Sequence, residues 1–203
     1  FAELIAKFRA MRGEKDFLAE IPRYFTDLSL LQDLPHRFKR WSGFSTHFLA
    51  TLVSATAFDY AAFASLEEAE QTYVLESETE PIVLKDGHPV SFSMHNGVVG
   101  WVFKNEQPVI AEGFGEAPSP VIFGKVPEMN DFKAVMCLPI VVEKGTRAVL
   151  VLAHRSPRHV DESMHNFVRL AVGQLTAFLE NLYLRMRITS LLPKASVHKS
   201  YSN

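Results

Sequence analysis

Cysteine is nearly absent: Cys137 is the only one in 203 residues. That excludes an intramolecular disulfide and any zinc or redox site built from several cysteines, and it fits a reducing compartment best. Long apolar runs are missing too. The longest, such as Ala148 to Ala153, fall far short of the ~20 residues needed to span a bilayer, so no membrane insertion is expected of this chain. Charge of either sign is not in excess, with 21 basic residues against 23 acidic and a formal net charge of -2. Without a global positive field, nucleic acid is not an expected partner, and the short basic patch from His36 to Arg40 reads as a solvated helix face. No signal peptide leads the chain, and a cytoplasmic location is expected. The sequence begins with Phe1 and not Met, which leaves open residues upstream and any targeting signal they carry. No internal repeat, glycine-rich phosphate loop, serine nucleophile elbow or pair of catalytic carboxylates stands out, so no enzyme activity is expected.

What is present is enough apolar material, 47% of residues, to bury a core in one compact domain. Leu4, Phe8 and Met11 form a short amphipathic stripe closed by Gly13. Phe17, Ile21, Tyr24, Phe25, Leu28 and Leu31 then recur at helical spacing, and Leu34-Pro35 is expected to end the run. A further helix carries Phe38, Trp41, Phe44, Phe48, Leu49 and Leu52 on one face. Past Ala55 the period shortens to two. Phe58, Tyr60, Ala62 and Ala64 alternate with Asp59, Ala61, Phe63 and Ser65, and "QTYVLES" completes an expected antiparallel hairpin. Asp86-Gly87 signals another reversal.

The stretch "NGVVGWVFKNEQPVI" from Asn96 to Ile110 reads as a two-turn helix followed by a strand that Pro108 opens. Gly113 to Asp131, rich in Gly and Pro, reads as a long functional loop. "KAVMCLPIVV" and "RAVLVLAH" form an apolar hairpin joined by "EKGT", suited to central positions in a sheet. A long final helix starts near Asp161, a plausible N-cap. It carries Met164, Val168, Ala171, Leu175, Phe178 and Leu182 at alternating steps of four and three. The expected organisation is an N-terminal helical extension over residues 1–34, a sensor-type domain over 35–190 and a flexible polar tail over 191–203.

This order of elements resembles the GAF domain, a relative of PAS that recurs in cyclic-nucleotide phosphodiesterases, phytochromes and bacterial signalling proteins. The matching segments are "GVVGWVFKNEQPVIAE" at Gly97 to Glu112, "AVMCLPIVVEKGTRAVLVLAH" at Ala134 to His154, and the helix from Ser163 to Leu184. The resemblance implies an α+β fold, with a central antiparallel sheet, the N- and C-terminal helices packed on one face, and the short helix plus long loop enclosing a pocket on the other. In that pocket Gly97 and Gly100 would let the helix start tightly and approach the sheet, while Trp101 and Phe103 supply apolar bulk. Ser91, Ser93, His95 and Asn96 are the candidate polar contacts, with Tyr60, Phe114, Phe123 and Phe132 as walls.

Several family chemistries find no match. Cyclic-nucleotide binders carry Asn-Lys, Phe and Asp-Glu around the last strand and helix start, where this chain has His154-Arg155 and Val160-Asp161-Glu162. Covalent bilin needs a cysteine near the pocket helix, and "SFSMHNG" has none. The free methionine sulfoxide reductases of this fold depend on several cysteines. His88 and His95, His154 and His159, and His159 and His165 lie seven, five and six positions apart. None of these gives the i, i+4 pair of a zinc helix, so no metal or cofactor is expected, although His95 leaves a haem or redox sensor as a third alternative. The leading expectation is a regulatory module that binds a small cytosolic ligand and signals through dimeric helices, with Val168, Leu175, Phe178 and Leu182 at the dimer interface. The alternative is a dimerisation or scaffold module whose pocket is filled by its own aromatics.

Overall fold

A computed structural model describes residues 14–38, 40–67, 69–81, 84–85, 88–113, 121–124, 132–142 and 145–191. The expected helix over Phe1 to Arg12, the Asp86-Gly87 turn, Phe114 and the polar tail from residue 192 lie outside them. The elements run α1 (Glu14–Arg37), α2 (Trp41–Thr56), β1 (Tyr60–Glu67), β2 (Thr72–Glu78), β3 (Leu84–Lys85), β4 (His88–Pro89), β5 (Ser91–Ser93), α3 (Gly97–Asn105), β6 (Val109–Ala111), β7 (Ala134–Val142), β8 (Gly145–His154) and α4 (Glu162–Leu191). Strands β5-β2-β1-β8-β7-β6 form one antiparallel sheet, and β3 and β4 a separate two-stranded ribbon.

The sheet's inner strands explain its position. From Ala61 to Ala64 and from Ala148 to Ala153 every residue is buried, because β1 and β8 are covered on both faces. Ala61, Phe63, Met136, Leu138, Leu150 and Leu152 point to the side where α1, α2 and α4 pack. Tyr60, Ala62, Ala64, Val135, Cys137, Val149 and Val151 point to the other. Phe58, placed by the alternation with Tyr60, belongs instead to the helical side, since the strand begins only at Tyr60.

Aromatic stacking holds the helices down. Phe44 lies 4.0 Å from Phe178 and 5.5 Å from Phe48, and Tyr24 meets Phe167 at 4.9 Å. Leu31 and Leu34 of α1 are buried in the same core. The expected stop at Leu34-Pro35 comes late: α1 runs on to Arg37, because the amide of Phe38 donates to the Leu34 carbonyl at 2.9 Å and closes the final turn around the proline. Asp161 caps α4 as expected, its Oδ1 accepting from the Met164 amide at 2.8 Å.

The stripe from Met164 to Leu182 faces the protomer's own sheet. Val168 and Leu175 have no exposed surface, which corrects their assignment to a dimer interface: the protomer's own core already covers them. Phe178 is buried as well, and Leu182 is half-buried against the same core.

Candidate functional site

The sheet face opposite the long helices carries an aromatic chamber that its own buried rings fill. Its floor is made by small and branched residues, Ala62 and Ala64 on β1 and Val149, Val151 and Ala153 on β8. Alanines on the central strand leave height for rings. Tyr60 meets Phe132 at 5.3 Å and Phe123 at 6.0 Å, while Tyr73 meets Phe92 at 5.4 Å and Phe103 at 5.5 Å. Phe92 and Phe123, 6.1 Å apart, join the two groups.

Helix α3 forms the roof. Val99, Val102 and Phe103 recur at i, i+3 and i+4 and face inward, all buried. Trp101 falls between these positions on the opposite side and is 47% exposed, so it is neither a pocket wall nor core. The glycines act differently from the expected approach to the sheet. Gly97 sits at φ +76, and a Cβ there would come within 2.6 Å of the Ile122 carbonyl oxygen. At Gly100 a Cβ would meet the Met94 carbonyl oxygen at 2.5 Å. Both therefore let α3 press on its own entry turn and on the segment Val121 to Gly124.

That segment is a strap across the helix N-terminus. The first amides of a helix lack intrahelical partners. Here the amide of Val98 donates to the Val121 carbonyl at 2.9 Å and that of Val99 to the Ile122 carbonyl at 3.2 Å. Ile122 and Phe123 are fully buried beneath. At its other end α3 is tied to the sheet: Glu106, in the left-handed region at φ 56, accepts from the Thr146 amide at 3.1 Å.

Polar groups inside the chamber are few and contrast in their satisfaction. The Tyr60 hydroxyl donates to Glu78 at 2.8 Å, and burial pushes its pKa upward, with Glu78 adding to the shift. The Tyr73 hydroxyl is buried without a hydrogen-bond partner. Burial raises its pKa too, and the Cys137 thiol contributes. Cys137 itself is fully buried, which pushes the thiol up and away from its reactive thiolate form.

The rim is charged. Asp59 accepts from the Arg155 amide at 2.8 Å and lies 3.5 Å from His154 Nε2. The Arg155 guanidinium pairs with Glu80 at 2.9 Å and sits 5.6 Å from the centre of the Phe132 ring. Nearby, Glu112 accepts from the amide of Val160 and lies 2.9 Å from His159 Nδ1. The hydrogen bond with His159, then that with Val160, holds its carboxyl below the usual range. Among the described residues, no three His, Cys, Asp or Glu side chains gather to hold a metal ion. Nor is any described helix long and apolar enough to cross a membrane.

Of the residues expected in the pocket, the chamber gathers Tyr60, Phe123 and Phe132. Ser91 is exposed on β5 and donates to Glu67 at 3.2 Å. Ser93, half-buried, accepts from the exposed His95 amide at 3.2 Å within the turn before α3. Asn96 occupies the N-cap position of α3 with no side-chain capping bond. Ser91, Ser93 and His95 therefore do not belong to the chamber: β5 alternates, and it is Phe92 that points inward. Tyr73, Phe92 and Ile122 complete the chamber without having been singled out. The Ser-Phe-Ser alternation carried the signal for Phe92.

The family model described as the GAF domain matches residues 42–180, more than half of the chain. The chain belongs to the GAF domain family. As a fold, the GAF domain of Acinetobacter phosphoenolpyruvate-protein phosphotransferase is similar at 18% identity and a TM-score of 0.66, covering 79% of this chain and 94% of that one. Free methionine-R-sulfoxide reductase from Neisseria meningitidis, in complex with its substrate, is similar at 15% identity and a TM-score of 0.63, covering 82% and 91%. The A. aeolicus NLH2 GAF domain in an inactive state follows at 16%, 0.62, 83% and 99%. No curated protein matches the chain. In this GAF domain the chamber, α3 and the strap lie on the face opposite the terminal helices.

Proposed function

We propose that this GAF domain is a regulatory sensor that admits a small cytosolic molecule to the aromatic chamber and passes occupancy to its long helices. The observation that carries the reading is the cover. The chamber is roofed by α3 and a strap held to the helix by two backbone hydrogen bonds, and those bonds can be exchanged for bonds to water or a ligand when the cover lifts. A ligand acts only through a difference in affinity between the covered and lifted arrangements. A regulatory and not a catalytic role is favoured by the thiol inventory: the single cysteine is buried with its pKa raised, unlike the accessible thiols a sulfoxide-reducing cycle needs.

A second reading is favoured by the ring contacts. Tyr60, Phe92, Phe123 and Phe132 already fill the chamber against one another, as they would in a scaffold module that takes no ligand. Native mass spectrometry of freshly purified protein, compared with its denatured mass, separates the two. The sensor reading expects a stoichiometric extra mass that denaturation removes. A bare mass both before and after incubation with a metabolite extract selects the scaffold.

A further inference from the structure

Tyr73 gives the chamber one open polar point. It has no exposed surface, and its hydroxyl has no hydrogen-bond partner among the described residues. A buried hydroxyl in that condition costs free energy, and native interiors leave few such groups without a water, an ion or a ligand. The ring is not free to swing toward a partner. Phe92 stacks on it from β5 at 5.4 Å and Phe103 meets it from the roof helix at 5.5 Å, so the hydroxyl is held at a fixed place. Tyr60 provides the contrast within the same chamber: its hydroxyl already donates to Glu78 at 2.8 Å and is closed to a newcomer.

The surroundings set what the open hydroxyl can receive. Among the described residues, no buried one is charged, and Asp59, Glu80 and Arg155 lie at the rim, bonded to one another. A charged ligand would lose its hydration and find no counter-charge inside. The strap sets the shape. Phe123 stands 6.0 Å from Tyr60 and 6.1 Å from Phe92, so a strap that lifts withdraws one ring from between two others. The slot it leaves suits a single flat ring, packed against the remaining aromatics as Phe123 is. Phe92 neighbours both Phe123 and Tyr73, which puts the open hydroxyl beside that slot.

We propose that the chamber takes an uncharged, single-ring aromatic molecule with one hydrogen-bond acceptor, its ring replacing that of Phe123 and its acceptor taking a hydrogen bond from the Tyr73 hydroxyl. This rests on the sensor reading above and narrows it to a ligand class.

Ligand-observed NMR titration of the full chain tests it with three probes of similar size: acetophenone has the ring and the acceptor, ethylbenzene lacks the acceptor, and benzoate is charged at neutral pH. The wild type should bind acetophenone more tightly than ethylbenzene and leave benzoate free. Tyr73→Phe deletes only an unpartnered hydroxyl and should fold; it should weaken acetophenone about three- to tenfold and leave ethylbenzene unchanged. Phe123→Ala should tighten both ring probes, because it removes the ring they displace. Acetophenone binding indifferent to Tyr73→Phe, benzoate bound as tightly as acetophenone, ring binding unaffected by Phe123→Ala, or no binding of any probe would each overturn the proposal. The sensor reading outlives such a result if native mass spectrometry still finds a stoichiometric adduct, and falls with it if the native mass is bare.

Discussion

The two faces of the sheet are packed from the same hydrophobic vocabulary but differ in what they tolerate. On the helical face, Leu31, Phe44, Phe48, Leu52, Val168 and Leu175 form a core from three helices. On the chamber face, the core includes two tyrosines and a cysteine, and its cover is one short helix with a strap. A buried apolar contact is stabilising and indifferent to orientation, whereas a buried hydroxyl demands a partner or costs free energy. The helical face is thus suited to permanence and the chamber face to exchange.

Truncation on the permanent face should have the largest effect. Phe48→Ala removes a fully buried ring between Phe44 and Phe63, and it should cost about 3–5 kcal/mol in urea unfolding. A loss below about 1 kcal/mol would mean that the helices are only loosely seated on the sheet. Less severe is Gly100→Ala. The new methyl group would collide with the Met94 carbonyl oxygen, so α3 must shift, at about 1–3 kcal/mol. Amide hydrogen exchange should then rise in α3 and the strap while α2 and the first half of α4 keep their protection. Uniform exchange across both faces would erase the contrast between them.

The smallest effect is the most informative. Tyr73→Phe deletes a buried hydroxyl that has no partner, and it should stabilise the protein by about 1 kcal/mol, seen as a raised Tm. A lowered Tm would show that water or a ligand satisfies the hydroxyl in solution and would strengthen the sensor reading.

Much of this organisation was legible beforehand. The β7–β8 hairpin, the short helix before Pro108 and the capped start of the last helix all follow from local patterns, because alternation, glycine placement and an N-cap act within a few residues. The site was less legible. Tyr60, Phe123 and Phe132 were expected there, but Ser91, Ser93 and His95 were chosen for their chemistry, when the pleat sends the two serines away and turns Phe92 inward, and His95 lies exposed in the turn beyond the strand. Trp101 misled by size, since its side of α3 is set by its offset from Val99 and Val102. The stripe from Met164 to Leu182 was correctly seen as apolar, but periodicity alone does not distinguish docking onto the chain's own sheet from docking onto a partner. The strap was harder still, because its link to α3 is a pair of backbone hydrogen bonds that no side-chain pattern encodes.

The grip of Glu106 on Thr146 fastens the roof helix to one end of β8. Strand β8 is held one residue from its start and ends at His154, about 27 Å beyond that grip at ordinary strand rise. Only residues 155–161 separate its far end from α4. The roof helix and the root of α4 are thus attached near opposite ends of one strand, which is paired on both sides over Ala148 to Ala153 at the middle of the sheet.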